Sequence, residues 1–211
     1  MPPSRIALVG FSGTGKSLIG RILARKLGWA TIDTDHEIER REGKTVPEIF
    51  ATQGEPEFRA IESRVLADVC AHNAAVISTG GGAILWRHNR QTLSSCLVVA
   101  LNSSPEAIYE RLARNPFSLA QRPLLQSDDP LQKIRNILEH RRPFYALADL
   151  QVDSEGKTPE VTADEIRAGW LQTSDAMLSD PKRIERLTGP ADGREADAPY
   201  AHHQTGGPID A

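Results

Sequence analysis

One octapeptide near the N-terminus constrains the chain more than any other feature. Residues 10–17, Gly-Phe-Ser-Gly-Thr-Gly-Lys-Ser, match the pattern G-x-x-x-x-G-K-[ST] in full. A strand-like apolar run at residues 6–9 precedes them, and apolar residues at helical spacing follow as far as Gly28, a predicted C-cap. Because strand, glycine loop and helix come in this order, the motif predicts a phosphate-binding loop with a nucleoside triphosphate as its ligand.

The residue types in this loop fit that ligand. Glycines allow tight turns and leave backbone N–H groups facing phosphate oxygens at the positive end of the following helix. Lys16 supplies a cation for the β- and γ-phosphates, and the Ser17 hydroxyl can ligate Mg²⁺. The predicted nucleotide-binding residues of this segment are Gly13, Thr14, Gly15, Lys16, Ser17 and Leu18.

Composition limits the class of protein and its partners. A length of 211 residues suits one domain with a sizeable core. The net charge of −3 and isoelectric point near 6.1 argue against nucleic acid or an anionic membrane as partner. We expect a cytoplasmic protein, since we find neither a membrane-spanning apolar run nor a signal-peptide pattern. Cys70 and Cys96 lack metal-ligand spacing and are expected to be buried free thiols.

Predicted strands and helices alternate along most of the chain, which indicates an α/β fold with a mostly parallel sheet covered on both faces. The predicted strands are residues 6–9, 30–32, 74–78, 97–101 and 150–152. A capping box at residues 45–48 starts one helix, and a stronger helix is predicted for residues 57–71.

Two segments lack any periodic pattern. Residues 115–129 carry Asn, Pro, Ser and Asp and are predicted to form an exposed, mobile loop. From residue 173 to residue 211, prolines, glycines and charges mix with few apolar side chains. Because Leu178, Ile184 and Leu187 are too sparse to anchor a domain, we predict a disordered tail.

Two carboxylates end the second predicted strand. Ligands of parallel α/β sheets bind beyond the carboxyl ends of the strands, where the phosphate loop, Asp33-Thr34-Asp35 and Gly80-Gly81-Gly82 all lie. Beside a triphosphate, one acid can hold hydrated Mg²⁺ and the other can accept the proton of an attacking hydroxyl. The alternative is that one acid only caps the next helix.

Two charged residues fall at apolar helix positions, and a third lies at the edge of an apolar face. Glu62 lies within the face set by Phe58 and its helical neighbours, and Arg59 is its local partner. Such a pair would hold a guanidinium ready for an anionic ligand, whereas a surface ion pair is equally compatible with the spacing. Arg141 lies within another apolar stripe, which indicates either an inward cation awaiting an anion or a side chain that snorkels to solvent.

In combination, these segments resemble shikimate kinases. The resemblance covers residues 5–172 in the family's order and spacing. The matching segments are residues 10–17, 33–35, 54–59, 78–82, 122–125 and 141–145. The phosphate loop alone indicates only a nucleotide-binding protein, and the whole series is far more specific.

The resemblance implies a P-loop kinase of three α/β/α layers around a five-stranded parallel sheet. Its domain is residues 1–172, with a substrate-binding segment at 44–61, a lid at 115–129 and the tail at 173–211 outside it. The implied reaction is Mg-ATP-dependent phosphorylation of the 3-hydroxyl of shikimate, on the pathway to aromatic amino acids. The implied cofactor is Mg²⁺, the partners are small molecules, and we expect a monomer.

The resemblance also assigns roles to residues of this sequence. Lys16 contacts the transferring phosphates, Ser17 binds Mg²⁺, and Asp33 holds the water shell of the metal. Asp35 grips the shikimate hydroxyls and acts as general base, and Glu62 orients Arg59. The implied substrate-binding residues are Asp35, Arg59, Gly81, Gly82 and Arg141. The lid arginine is Arg122, a catalytic residue that also contacts nucleotide, and Arg111 and Pro159 flank adenine.

Other functions remain to be weighed against this one. A gluconate kinase also combines a phosphate loop with a sugar-like acid, but two arginines on separate helices and the triple glycine favour shikimate. An idle nucleotide-binding module is the alternative from another class, and it would be expected to have lost Lys16, Asp33, Asp35 or Arg122. A DNA-binding regulator is disfavoured because no basic helix is present.

Overall fold

Five strands form a single parallel sheet in the computed structural model, which describes residues 1–114, 125 and 127–190. The strands are β1 (Arg5–Val9), β2 (Ala30–Asp33), β3 (Ala75–Ser78), β4 (Leu97–Asn102) and β5 (Leu150–Asp153). Their order across the sheet is β2-β3-β1-β4-β5, and every neighbouring pair is parallel. The predicted α/β class and the predicted strands are confirmed.

Helices connect the strands and cover both faces of the sheet. In chain order they are α1 (Lys16–Leu27), α2 (Thr34–Glu42), α3 (Val46–Cys70), α4 (Arg87–Leu93), α5 (Pro105–Ala113), α6 (Pro130–Tyr145), α7 (Pro159–Leu171), α8 (Asp175–Leu178) and α9 (Pro181–Thr188). Among the described residues, no helix has both the length and the apolar character needed to cross a bilayer.

Side-chain alternation along β1 divides the core into two parts. Ile6 and Leu8 pack in one apolar cluster, and Ala7 and Val9 pack in the other. The first cluster contains buried residues of α1 and α7, and the second contains those of α3, α5 and α6. Since both faces of the strand are buried, its sequence is continuously apolar, as is typical of parallel sheets.

Helix α3 has a kink at Gly54, whose φ of 82° and ψ of 170° are not helical. The Thr45–Glu48 capping box that starts α3 is confirmed, with Thr45 N–H donating to the Glu48 carboxylate over 2.7 Å. After the kink, the apolar face predicted from Phe58 onward is buried. The kink therefore separates a segment at the edge of the cleft described below from a helix that is anchored in the core.

The prediction of disorder from residue 173 is wrong for the first part of that segment. Helices α8 and α9 occupy residues 175–188, and the Leu187 side chain is fully buried. Polar contacts also anchor this segment. The Arg183 guanidinium donates to both carboxylate oxygens of Asp149 over 2.7 Å and to the carbonyl oxygens of Ser94 and Cys96.

A second buried arginine holds the end of α9. Arg90 on α4 is 1% exposed and donates to the carbonyl oxygens of Leu187 and Gly189 over 2.9 and 3.0 Å. Apolar periodicity in the sequence could not predict this docking, because hydrogen bonds from a guanidinium to carbonyl oxygens hold the helix end where an apolar stripe would otherwise pack. The remaining tail, residues 191–211, lies outside the described part of the chain.

Replacing Asp149 with asparagine is expected to lower the free energy of unfolding by about 3 kcal/mol, because it leaves the buried Arg183 cation without its counter-charge. The two side chains are 10% and 8% exposed. The matched control is Asp164→Asn, which breaks the exposed ion pair with Lys26 and should change stability by at most about 0.5 kcal/mol. Urea unfolding measures the free energy of unfolding of both variants. Equal losses for the two substitutions would contradict this role for Asp149.

Candidate active site

The carboxyl ends of three adjacent strands bring the predicted chemical segments together. Leu8 of β1 and Asp33 of β2 are both register partners of Ser78 on β3. The phosphate loop, the two acids and the triple glycine therefore leave the same edge of the sheet. This is the edge at which parallel α/β sheets bind their ligands.

The loop at residues 10–17 wraps around the lysine ammonium group. The Thr14 N–H and hydroxyl both donate to the Phe11 carbonyl, which closes a tight turn. Gly15, the N-cap of α1, has a left-handed φ of 95° that a glycine adopts without strain. The Lys16 Nζ donates to the carbonyl oxygens of Gly10 and Phe11 over 2.8 Å each. The ammonium and the positive end of α1 thus lie together, as an anion site requires.

The sequence left open whether one of the two acids only caps the next helix. Asp33 makes two contacts that answer this question. Its Oδ1 accepts from the backbone N–H groups of Asp35 and His36, so it is the N-cap of α2. Its Oδ2 accepts from the Ser17 hydroxyl over 2.6 Å. The residue is therefore a helix cap and a neighbour of the phosphate loop at once.

These oxygen atoms fit a magnesium ion. A hydroxyl and a carboxylate are hard donors, and Mg²⁺ usually takes one or two protein ligands together with water and phosphate oxygens. A magnesium ion held by Ser17 and Asp33 would complete its coordination with water and with oxygen atoms of a nucleotide.

Asp35 lies in the first turn of α2, lines the cleft, and has a shifted pKa. The residue is exposed at the cleft, and nearby protein groups partly desolvate its carboxylate. That desolvation, together with the charges of Glu62 and Asp33, raises the pKa of Asp35 to about 7, against the lowering effects of Lys16 and Arg59. A carboxylate with this pKa is well matched to proton transfer near neutral pH.

Arg59 is held by two carboxylates. Its Nη1 donates to Glu62 over 2.8 Å, and its Nη2 donates to Glu55 over 2.9 Å. Arg59 and Glu62 are 7% and 1% exposed, which excludes the alternative of a surface ion pair. Burial lowers the pKa of Arg59, but Glu62 and Glu55 raise it by more, so the guanidinium stays charged.

Gly82 is packed against this guanidinium. A Cβ atom at position 82 would lie 2.8 Å from both terminal nitrogens of Arg59. A side chain at this position would therefore displace the Arg59 guanidinium from its present place, which gives a physical reason for part of the triple-glycine pattern. It also places the backbone of this loop directly beside the arginine.

Arg141 points inward from α6, as its place in the apolar stripe suggests. It is 6% exposed, its guanidinium lies 5.8 Å from the centre of the Phe11 ring, and its Nε has no hydrogen-bond partner among the described residues. The snorkelling alternative is excluded. Since an unpartnered buried donor is costly, this group is prepared for an anionic or polar ligand.

Both arginines line one cleft of about 370 Å³ next to the phosphate loop. Its lining includes Ser12 of that loop and Asp35 from α2. Apolar walls come from both helices that carry the arginines and from the segment before the α3 kink. The other lining residues are Phe11, Glu39, Thr45, Val46, Pro47, Phe50, Phe58, Glu62, Gly80, Gly81, Gly82, Leu125 and Ile137.

The structure also identifies a residue, Tyr145, that contacts the cleft lining and to which the sequence gave no role. The Tyr145 hydroxyl donates to the Gly81 carbonyl over 2.7 Å and so fixes the middle of the glycine loop. Tyr145 is part of the matched segment 141–145, but only the fold shows which atom it reaches. Burial raises the pKa of this phenol, so it stays a donor.

The residues predicted to flank adenine lie apart from this cleft. Arg111 on α5 donates to the Ser154 carbonyl over 2.9 Å and reaches the Gly13 carbonyl at 3.5 Å, so it borders the phosphate loop from the other side. Pro159 occupies the first turn of α7, and Leu18 is 45% exposed at the start of α1. Arg122 lies outside the described residues.

The acidity of Asp35 leads to a pH prediction. If its ionised form accepts the substrate proton, kcat/KM should fall as the pH drops through about 7, because the raised pKa leaves the carboxyl protonated below that value. Initial rates between pH 5 and about 9 measure this fall in kcat/KM, and the residual activity of Asp35→Asn should not show it. A value of kcat/KM that stays constant down to pH 5, as expected for an aspartate of ordinary pKa, would contradict the assignment.

Comparisons with known proteins agree with this geometry. A family model described as shikimate kinase matches residues 12–169. The shikimate kinase of Trichormus variabilis is 44% identical over 160 residues, which cover 75% of this chain and 86% of that protein. The shikimate kinase of Moorella thermoacetica is 42% identical over 175 residues, covering 81% and 98% of the two chains.

Solved structures show the same relationship. A shikimate kinase from Acinetobacter baumannii in complex with shikimate has a TM-score of 0.76 at 38% identity, covering 81% of this chain and 94% of that one. A gluconokinase from Sinorhizobium meliloti covers 83% of this chain and 95% of its own, but its 19% identity and TM-score of 0.51 show the shared fold alone. From the family model and these relatives it follows that the chain belongs to the shikimate kinase family.

Proposed function

We propose that this chain transfers the γ-phosphoryl group of ATP to the 3-hydroxyl of shikimate. One observation carries the substrate assignment: two buried arginines from separate helices, Arg59 and Arg141, line the same cleft as the Asp35 carboxylate, beside the phosphate loop. A small cyclic acid with several hydroxyl groups matches a cleft that offers cations, a base and apolar walls. The matching shikimate kinase family supports the same reaction.

The substrate carboxylate is proposed to bind between Arg59 and Arg141. Glu55 and Glu62 orient the first guanidinium, and the second has an unused Nε donor. Guanidinium groups bind carboxylates through paired charge-assisted hydrogen bonds, which fix orientation as well as charge. The Gly81 and Gly82 backbone is proposed to meet the ring hydroxyls, with Tyr145 holding the Gly81 carbonyl in place.

Phosphoryl transfer depends mainly on positioning and on charge stabilisation. Asp35 is proposed to bind the reacting hydroxyl and to accept its proton at Oδ1 or Oδ2. Lys16 and the N-terminus of α1 are proposed to stabilise the charge on the phosphates. Ser17 directly, and Asp33 through water, would hold Mg²⁺, which neutralises phosphate charge when bound.

Further assignments rest on the sequence resemblance. Arg122 is proposed to stabilise the transferring phosphoryl group from the segment 115–129, and Arg111 and Pro159 are proposed to flank adenine. The catalytic domain is proposed as residues 1–172, with 44–61 contributing to shikimate binding. We also propose a monomeric cytoplasmic enzyme, for which the two free thiols fit a reducing compartment.

Identification of the product tests the proposed reaction. Purified protein incubated with Mg-ATP and shikimate should form one phosphate ester, on the 3-hydroxyl, as measured by phosphorus and proton NMR. Omission of Mg²⁺ should abolish product formation. Binding of ATP without transfer of its phosphoryl group to shikimate would contradict the proposal and would favour an idle nucleotide-binding module.

A further inference from the structure

Two cysteines that are distant in sequence meet in the core. Cys70 is the last residue of α3, and Cys96 directly precedes β4. The side chains are 4% and 0% exposed, and the two sulfur atoms lie 3.7 Å apart, within hydrogen-bond distance. They are also the only cysteines of the 211-residue chain.

The pKa values of the two thiols in this cysteine pair are shifted in opposite directions. The hydrogen bond between the thiols lowers the pKa of Cys96, against the effect of burial, and the contact with Ser95 and the charges of Arg5 and Arg183 lower it further. The same hydrogen bond, followed by burial, raises the pKa of Cys70, against a lowering effect of the Arg5 charge, which acts on both thiols. Arg183 is also joined to Cys96 directly, since its Nη2 donates to the Cys96 carbonyl over 2.7 Å.

A thiolate is the reactive form of cysteine, and nearby cations favour it. Cys96 is therefore the sulfur suited to attack an oxidant, and Cys70 lies where a second thiol must lie to resolve the product. Both are buried, so only a very small oxidant can reach them. Ordinary apolar packing of two thiols would explain their burial, but the 3.7 Å separation of the two sulfur atoms also brings them close enough to react with each other.

We propose that Cys70 and Cys96 form a modification site at which a peroxide produces an intramolecular disulfide. The Cys96 thiolate attacks one peroxide oxygen, the O–O bond breaks, and a sulfenic acid and hydroxide form. The Cys70 sulfur then attacks the Cys96 sulfur, the S–O bond breaks, and water leaves with the thiol proton. Overall, two thiols lose two electrons and two protons, and one hydrogen peroxide becomes two waters.

Formation of the bridge requires the two sulfur atoms to move closer together. The sulfur–sulfur distance must shorten from 3.7 Å to about 2.05 Å. The bridge would lie at the end of the sheet opposite the catalytic cleft, and Cys70 is about 16 Å along α3 from Arg59, at 1.5 Å per residue. We therefore expect the modification to change resistance to unfolding, with shikimate phosphorylation retained within about twofold.

Hydrogen peroxide on the folded wild-type protein tests the proposal. Intact mass should fall by two hydrogen atoms, both thiols should disappear together in a thiol titration under denaturing conditions, and the chain should stay monomeric on a non-reducing gel. Dithiothreitol should restore both thiols. The thermal midpoint of the oxidised protein should exceed that of the reduced protein, because the bridge closes a loop of about 25 residues in the unfolded chain.

Cys70→Ser and Cys96→Ser provide the matched controls. Neither variant can form the intramolecular bridge, so neither should show the mass loss or the rise in thermal midpoint. The proposal would be overturned if both thiols of the folded wild-type protein stayed unreacted, if oxygen atoms were added to one cysteine while the other stayed free, or if disulfides formed only between chains. A bridge that lowered the thermal midpoint would also overturn it, since the native arrangement would then have to distort.

Discussion

Replacing Asp35 with asparagine is expected to lower kcat for shikimate phosphorylation about 1000-fold, the scale of a lost general base. The amide keeps the size of the side chain but cannot take up the hydroxyl proton. Because Lys16 and the phosphate loop are untouched, the dissociation constant for Mg-ATP should change by less than about threefold. Steady-state ADP release and calorimetric nucleotide titration measure the two quantities.

Glu37→Gln is the matched control, since Glu37 lies on the same helix but pairs with Arg40 and Arg41. That variant should retain kcat within about twofold. If Asp35→Asn also kept kcat within tenfold, proton removal would have to be assigned to another group or to solvent. The raised pKa of Asp35 would then have no catalytic role.

Replacing Arg141 with glutamine is expected to raise KM for shikimate about 100-fold, because truncating one partner of a buried charge pair typically costs 2–5 kcal/mol. KM for Mg-ATP should stay within about twofold, because the guanidinium meets the substrate side of the cleft. The effect should appear with saturating ATP and varied shikimate in the ADP-release assay.

The neighbouring residue offers a close control. Arg142 is exposed on the same helix, so Arg142→Gln changes the net charge equally and should leave both KM values within about twofold. Equal effects of the two substitutions would show that overall charge, and not a carboxylate contact at Arg141, governs shikimate binding. A larger effect on KM for ATP than for shikimate would also contradict the proposed position.

The site was predictable where a residue type conflicted with its helical position. Glu62 and Arg141 occupy positions at which the apolar pattern calls for leucine, and both are buried. The phosphate loop was predictable because its glycines, lysine and serine must keep a fixed spacing between strand and helix. In each case the local sequence already contains the physical requirement.

What the sequence could not show depends on contacts between distant segments. The Tyr145 hydroxyl reaches Gly81 only because the end of α6 packs beside the loop that follows β3, and the two thiols meet only because the end of α3 packs beside the start of β4. The docking of α9 was missed because Arg90 and Arg183 use carbonyl oxygens and Asp149 as partners. No periodic pattern marks such partners, because they arise when separate elements pack.

The most direct test of the central claim is a comparison of kcat/KM for shikimate and for gluconate in the same ADP-release assay with wild-type protein. A cleft built from Arg59, Arg141 and Asp35 around a cyclic acid predicts that shikimate is preferred by about 1000-fold or more, because a linear acid cannot satisfy all of these buried groups together. Equal values for the two acids, or a preference for gluconate, would contradict the account.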